Sequence, residues 1–381
     1  MTRTIAQYGP WPGHEHELLL RSALGGAREA VDAWEAWRSR YDLDAIDAGS
    51  LRLLPLVYRN LTRAGVDPGS LGRLRGVYRQ TWYRNQLMIG HLANVIRALD
   101  AAGIETLVLK GVPLALAWYG EAAVRPMADA DLLIPSARAL EALDVLRAAG
   151  WAPRGEPLGW PPRFTGSRAF ANAHGLEMDL HTHVLHDCLE PDADGDFWAA
   201  ARPIVVGGAA TRMLCPADQL LHVIVHGFRR STVPPVRWVA DAITVIRRSG
   251  ADLDWPRFAS QTVRRRFRPV AASALDYLRA GFGVDVPARI PGVIPPAGIS
   301  IAERLEYWSR VQPGRVQLGV EAWCEYRRAA GRESHWSGPL GFVRYVKDRL
   351  GVDDVRRLPS AAAAKLSFRR FETTTSRAGQ R

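Results

Sequence analysis

The chain has 381 residues, of which 47% are hydrophobic and 23% charged, and its formal net charge is +11. This length allows one large domain or two to three ordinary ones, and the composition is that of a soluble globular protein. No uncharged apolar run reaches about 18 residues, which excludes a membrane span, and the N-terminus lacks the features of a secretion signal.

Arginine supplies almost all of the positive charge, because 47 of the 50 basic residues are Arg and three are Lys. The charge is compatible with a polyanionic partner such as nucleic acid or nucleotide phosphates, and equally with a biased supply of arginine. The cysteines are an odd number and widely spaced: Cys188, Cys215 and Cys324. They form neither a disulfide framework nor a CxxC zinc pattern, which indicates a reducing, cytoplasmic setting.

Residues 1–103 are predicted to form an N-terminal helical region. Segments such as "GAREAVDAWEAWRSRYD" and "LRLLPLVYRNLTRAG" place apolar residues at mixed spacings of three and four and end at Asp or Gly. A longer helix is predicted from about Leu71 to Ala102, and it stops at Gly103.

The pattern changes at residue 104, and residues 104–190 are predicted to form a small α/β core. The segments "IETLVLK" and "MADADLLIP" are predicted strands, each followed by a helix that Gly111-Val112-Pro113 or Ser136 would begin. "SRAFANAHGLEMDLHTHVL" is a predicted hairpin that turns at His174-Gly175. The fold class is therefore α+β, a small mixed sheet embedded between largely helical regions.

Residues 191–283 are predicted to be a helical region that packs on this core. The segment "VPARIPGVIPPAGIS" has the composition of a linker. Residues 299–381 follow as a C-terminal helical region that ends in a basic tail.

Three aspartates of the predicted core are candidate metal ligands. Asp129 and Asp131 are two residues apart on a strand, so both carboxylates lie on one face, where they repel unless a cation lies between them. Mg²⁺ is the natural partner, since it is bound by one or two carboxylates together with substrate phosphates. Asp179, on the hairpin, is a third acid that could complete a two-metal site. A DxD pair also occurs in turns and solvated strand ends, and the order of the elements favours the site.

These motifs together resemble a known family. Lys110-Gly111, then Arg125 and the segment "RPMADADLLI", then "MDLH" around Asp179, are similar to the bacterial "uncharacterised nucleotidyltransferase" family of the polymerase-β-like nucleotidyltransferase superfamily. The segments "LRLLPLVYRNL" and "PADQLLHVIVHGFRR" resemble its flanking helices. The resemblance covers roughly residues 50–250, and it implies an enzyme that transfers a nucleotide.

The resemblance implies a short mixed sheet in which Asp129, Asp131 and Asp179 hold Mg²⁺ or Mn²⁺ and a nucleoside triphosphate is the substrate. The superfamily usually has Gly-Ser at the first strand–helix turn, where this chain has Lys110-Gly111-Val112, so the resemblance leaves the mode of triphosphate binding open. Gly111 allows a phosphate to approach the backbone, and Lys110 can place a point charge on it.

Two further residues complete the predicted site. Arg125, four residues before the DxD pair, is a candidate for binding phosphate or pyrophosphate. His181 is expected to orient Asp179. Either Asp179 or the nearby Glu177 could accept the proton of the attacking group.

Other histidine patterns carry weaker hypotheses. His181 and His183 could begin a transition-metal site of the amidohydrolase type, but the later strands that such a site needs are missing from the pattern. His222 and His226 have the spacing of zinc proteases, but Val223 stands where the catalytic glutamate would be. Packed helix histidines, or a helix that borders the nucleotide site, are the remaining interpretations.

The predicted function is the metal-dependent transfer of a nucleoside monophosphate from an NTP to a hydroxyl, phosphate or amine, with release of pyrophosphate. A small-molecule or peptide acceptor is favoured over nucleic acid, and no membrane partner is expected. Two alternatives stay open: a degenerate nucleotidyltransferase fold that binds a nucleotide or partner without turnover, and a basic regulator that binds nucleic acid.

Overall fold

A computed structural model describes residues 8–154, 166–190, 192–312, 314–329, 338–350, 354 and 356. The chain begins with helices whose apolar stripes face one another. In the second helix, Ala30, Ala33, Trp34 and Trp37 are buried, which is the spacing of one helical face. The helices before the sheet are α1 (His14–Leu24), α2 (Ala27–Arg38), α3 (Ala48–Leu51), α4 (Leu54–Arg63) and α5 (Gly72–Ala101).

A seven-stranded mixed sheet follows, with the strand order β3-β4-β5-β2-β1-β7-β6. Its central pairs are β1 with β2, which are antiparallel, β2 with β5 and β1 with β7, which are parallel. The strands are β1 (Leu107–Leu109), β2 (Asp129–Leu133), β3 (Trp151–Pro153), β4 (Ser167–Asn172), β5 (Glu177–His181), β6 (Arg202–Val206) and β7 (Ala209–Met213). The predicted fold class is confirmed: one mixed sheet lies within a largely helical chain.

The sheet is larger than the sequence analysis predicted. β6 and β7 form an antiparallel hairpin around Gly207 and Gly208, both with positive φ, and β7 pairs with the central strand β1. Residues 191–283, predicted as a helical region, therefore also contribute two strands. The division of the chain into four regions stays a prediction.

The helices within and after the sheet begin with α6 (Gly111–Pro113), which continues as a π-helical turn over Leu114–Trp118. Ser136 begins a 3₁₀ turn, Ser136–Arg138, instead of capping the next helix as predicted. The others are α7 (Ala139–Ala148), α8 (Gly195–Ala199), α9 (Pro216–Gly227), α10 (Arg237–Ser249), α11 (Trp255–Arg264), α12 (Arg268–Phe282), α13 (Ile301–Val311), α14 (Arg315–Ala329) and α15 (Pro339–Leu350).

The two faces of the sheet pack against different helices. Val108, Leu132 and Leu180 join a core formed with α5 and α7. Leu109 and Leu133 point to the opposite face, where they join the larger core of α1, α2, α4 and α9 to α12. Since side chains alternate along a strand, Asp129 and Asp131 share the second face with Leu133.

Within the part of the chain that the structure describes, five of the 13 tryptophans lie in the core. The buried ones are Trp34, Trp37, Trp118, Trp151 and Trp238. The three cysteines are free and buried. Within the described ranges, no helix combines the length and apolarity that crossing a membrane requires.

Candidate functional site

Two acidic residues lie side by side on neighbouring parallel strands. The register of β2 and β5 pairs Asp131 with Asp179 and Asp129 with Glu177. Because side chains alternate along each strand, all four carboxylates lie on the face of the sheet that is covered by α9 and α10. Residues 48 positions apart in the chain are thus brought to the same place by strand pairing.

The acids form a compact group with a histidine. Single ligand atoms of Asp131, Asp179 and His181 all lie within 4.8 Å of one another. Asp131 is only 2% exposed. Asp129 lies at the start of β2, half-buried and outside this group. The structure therefore brings together two of the three predicted aspartates, with His181 as the third member.

His181 contacts a different aspartate from the one expected. Its Nε2 lies 2.9 Å from Oδ1 of Asp131, and this contact replaces the predicted one with Asp179. Because an ionised carboxylate can only accept, Nε2 carries the proton and donates it. His181 therefore orients Asp131. The physical reason is that Asp131 and Asp179 stand at the same level of the sheet, so His181 can reach either one.

Lys110 is held against the same carboxylate. Its Nζ donates to Oδ1 of Asp131, and its side chain is 17% exposed. The backbone of Lys110 has φ 47° and ψ −105°, a conformation that residues with a Cβ rarely adopt. Such strain costs about 1–3 kcal/mol and is concentrated at functional sites. The turn that ends β1 therefore places the lysine at the acids at a cost in stability.

The three aspartates differ in their protonation. Burial acts to raise the pKa of Asp131, but Lys110 and His181 outweigh it and hold that pKa well below the usual range. Burial and the charge of Asp131 raise the pKa of Asp129 to about 6. Burial and the same charge also raise the pKa of Asp179. The charge of Asp131 therefore opposes the ionisation of both neighbouring acids.

The donor atoms of this group fit a divalent cation. Carboxylate oxygens are the ligands that Mg²⁺ and Mn²⁺ prefer. Oδ2 of Asp131 and both oxygens of Asp179 accept no hydrogen bond from the described residues, so they are available to a metal. His181, whose Nε2 donates to Asp131, would support the ligands and not join them.

Gly111 is surrounded by protein where a phosphate was predicted. It is buried, and a Cβ at this position would lie 2.8 Å from Sδ of Met127 and 3.1 Å from Nη1 of Arg125. Glycine is required here because any larger side chain would clash with Met127 and Arg125. The phosphate contact of Gly111 stays a prediction.

Arg125 is engaged inside the protein. Its Nε and Nη2 donate to the two carboxylate oxygens of Asp241 at 3.0 and 2.9 Å, and Tyr119 donates to the same carboxylate. Arg125 is 5% exposed. The structure thus shows Arg125 tying the loop before β2 to α10 and not facing a phosphate. The sequence could not predict this pair, because Asp241 lies 116 residues away.

Three arginines that the sequence analysis did not select lie near the acids. Burial is the largest effect on the pKa of Asp129 and of Asp179, and it raises both. The charge of Arg237 acts to lower the pKa of Asp129, and the charge of Arg229 acts to lower the pKa of Asp179. Arg52 interacts electrostatically with Asp129. A sequence signal existed, because Arg52 and Arg229 belong to the two flanking segments that carry the family resemblance.

Helix α9 borders the site with its histidines. His222 is 3% exposed, and its Nδ1 has no hydrogen-bond partner. Burial, and then the charge of Lys110, lower the pKa of His222 to about 3. His226, one turn further along the helix, is exposed. His222 is therefore a packed residue of α9 near Lys110.

Comparison with known proteins gives a family match. Residues 48–283 match the model of a family described as uncharacterised nucleotidyltransferase. No curated protein matches the chain. Among solved structures, the antibiotic-resistance factor ANT(2'')-Ia is 15% identical, with 51% of this chain and 98% of that one covered and a TM-score of 0.35. An antigenic nucleotidyltransferase-like protein from Paracoccidioides brasiliensis is 14% identical, with coverages of 54% and 96% and a TM-score of 0.36.

Proposed function

Because this chain belongs to the uncharacterised nucleotidyltransferase family and is a nucleotidyltransferase by that membership, we propose that it transfers a nucleoside monophosphate from an NTP to an acceptor. The attacking group would be a hydroxyl, phosphate or amine, and pyrophosphate would leave. The observation that carries the proposal is the pairing of Asp131 with Asp179 across two parallel strands, next to the strained Lys110.

Asp131 and Asp179 would hold Mg²⁺ or Mn²⁺, with Asp129 beside them. When bound, the divalent cation polarises the α-phosphate and lowers the pKa of the attacking group. Lys110 and His181 keep Asp131 ionised and fixed in orientation, which a metal ligand requires. Lys110 would also face charge that develops on the departing pyrophosphate.

Asp179 is the better candidate to accept the proton of the attacking group. Nη1 of Arg154 donates to Oε1 of Glu177, so that carboxylate is already engaged. Asp179 has no hydrogen-bond donor among the described residues and lies closer to Asp131 in the register. A general base must lie within hydrogen-bond reach of the proton it takes, and Asp179 has a free carboxylate for this.

The acceptor is proposed only as a class. A small molecule or peptide is favoured over nucleic acid, and the reaction is expected in the cytoplasm, which the three free cysteines support.

The test is a transfer assay. The protein is incubated with each labelled NTP, Mg²⁺ and cell extract, and both transferred label and released pyrophosphate are measured. We expect Asp131→Asn to lose about a thousandfold in rate, since a metal supplies several kcal/mol of transition-state stabilisation. Asp144→Asn, on the exposed face of α7, is the matched control and should be unchanged. Equal rates for Asp131→Asn and the unmodified protein would contradict the proposal, and binding without turnover would favour the degenerate alternative.

A further inference from the structure

We propose that Arg52 and Arg237 bind the β- and γ-phosphates of the nucleoside triphosphate, an inference that rests on the proposed function. Both residues come from helices outside the sheet, one before it in the chain and one after it. In the superfamily, the first strand–helix turn binds the phosphates. In this chain, residues at the end of α3 and the start of α10 would bind them instead.

The two arginines are brought together by direct contact between their elements. Gly49 of α3 lies against the segment before α10, since a Cβ at this position would lie 2.5 Å from the carbonyl oxygen of Pro234. Arg52 ends α3 three residues after Gly49, and Arg237 begins α10 three residues after Pro234. Their charges are close enough for Arg52 to act on the pKa of Arg237.

Arg237 is fixed beside the acids. Its Nη1 donates to the carbonyl oxygen of Pro126 at 2.5 Å, and Pro126 lies three residues before Asp129. Its Nε lies 4.0 Å from Oδ2 of Asp241, which is beyond hydrogen-bond distance. The side chain is 24% exposed. One donor therefore anchors the guanidinium, and the remaining donors can reach an anion.

Three arginines share this corner. Asp241 is bound on both oxygens by Arg125, and the side chain of Arg52 has no hydrogen bond or ion pair with any described residue, although the charge of Asp129 acts on it. Burial, followed by the charges of Arg125 and Arg52, lowers the pKa of Arg237 to about 9. A bound polyanion would relieve this repulsion, and guanidinium groups match phosphate oxygens in pairs.

The other candidates for this role are already occupied. Lys110 is paired with Asp131, Arg125 with Asp241, and the space over Gly111 is filled by Met127. Arg52 and Arg237 both interact electrostatically with Asp129, at the edge of the acidic group. The first turn of α10, a helix of 13 residues, adds its positive end at the same place.

The test measures binding of magnesium pyrophosphate, and of the NTP that the transfer assay identifies, by calorimetry. We expect Arg52→Ala and Arg237→Ala each to weaken binding by about tenfold or more, a factor typical of one lost charged contact. Arg304→Ala, an exposed arginine on α13, is the matched control and should bind normally. Arg237→Lys keeps the charge and should recover part of the affinity.

A structural role would give a different result. Since the side chain of Arg52 makes no hydrogen bond or ion pair with a described residue, and since Asp129 attracts it while Arg125 repels it, Arg52→Ala should change the melting temperature little in the absence of ligand. Wild-type affinity in both alanine variants, with NTP turnover intact, would overturn this proposal alone. Weaker pyrophosphate binding in both variants, with no turnover of any NTP by the unmodified protein, would support the phosphate site and reject the proposed function.

Discussion

Charged residues are buried in two regions of this molecule, and they are arranged in opposite ways. Around helices α11 to α14, each buried acid faces an arginine, in what we call the arginine network. At the sheet, carboxylates lie beside carboxylates and arginines beside arginines. The network consists of the pairs Arg257–Asp218, Arg265–Asp196, Arg268–Glu303, Arg310–Asp187 and Arg328–Glu306.

We interpret the paired charges of the arginine network as stabilising the fold, and the like charges at the sheet as a site for a charged ligand. A buried ion pair offsets its cost of desolvation with its own partner, and removing one member leaves an unpaired charge. Like charges held together cost stability in the free protein and become favourable only when a counterion binds. A removed charge should therefore have opposite effects on stability in the two regions.

The largest effect is expected at the acidic group. Asp179→Asn should reduce nucleotide transfer by about a thousandfold, because a proposed metal ligand is lost. The metal-free protein should be as stable as the wild type or more stable, because the repulsion between Asp179 and Asp131 is removed. Rate and urea unfolding are measured on the same preparation. If the metal-free Asp179→Asn variant were clearly less stable than the wild type, the claim that like charges at the sheet cost stability would be wrong.

The arginine network should respond in the opposite direction. Arg328→Ala removes donors that bind both oxygens of the buried Glu306 and the carbonyl oxygen of Arg265. We expect a loss of about 3–5 kcal/mol in the free energy of unfolding, because the buried Glu306 keeps only its distant ion pair with Arg266. Arg327→Ala, the exposed neighbour on the same helix, should change it by less than about 0.5 kcal/mol. Similar losses in both variants would show that the network does not depend on pairing.

Asp194 is an exception beside the network and gives a pH-dependent prediction. Its Oδ2 accepts the N–H of Val184 at 3.1 Å, while Oδ1 is buried without a partner. Burial raises the pKa of Asp194 to about 7, from an ordinary value of 3.8. The folded state therefore binds a proton more tightly than the unfolded state, so stability is lost as pH rises from about 4 to about 7.

The difference is worth up to about 4 kcal/mol, so Asp194→Asn should be more stable than the wild type at pH 8 by about 2–4 kcal/mol. The gain should disappear near pH 4. Urea unfolding across this range measures it, and Asp192→Asn, the exposed neighbour, should follow the wild type at every pH. A gain that is independent of pH would contradict the assignment to Asp194.

The smallest effect on stability concerns the two strained backbones, one in each region. Arg266 follows α11 with φ 58°, and its side chain makes only a distant ion pair with Glu306. Arg266→Gly should raise the free energy of unfolding by about 0.5–1 kcal/mol and leave activity unchanged. Lys110→Gly relieves similar strain and should abolish transfer, because the amine on Asp131 is lost. If Arg266→Gly and Lys110→Gly were equally active, the strained backbone of Lys110 would have no role in the reaction.

Much of the site could be predicted from the sequence, since it depends on local patterns. Period-two alternation placed Asp129 and Asp131 on one face, and the hairpin at His174-Gly175 placed Asp179 on a strand. The β6–β7 hairpin was missed although Gly207-Gly208 between two short apolar runs is a hairpin signal. The helical segments on either side outweighed it.

The contacts that the sequence analysis did not predict join distant parts of the chain. No local sequence pattern predicts that Arg125 binds Asp241 or that Met127 packs over Gly111. The partner of His181 depends on the register of β2 against β5. The sequences of the two strands do not fix this register by themselves. Arg52 and Arg237 are brought together only by the packing of α3 on the segment before α10.

The most direct test of the acidic group as a metal site is a Mn²⁺ titration followed by electron paramagnetic resonance, with a non-hydrolysable NTP analogue present. The wild type should bind Mn²⁺, and Asp179→Asn should bind it at least about tenfold more weakly, with Asp144→Asn as the unaffected control. Equal Mn²⁺ affinity in the wild type and in Asp179→Asn would contradict the account.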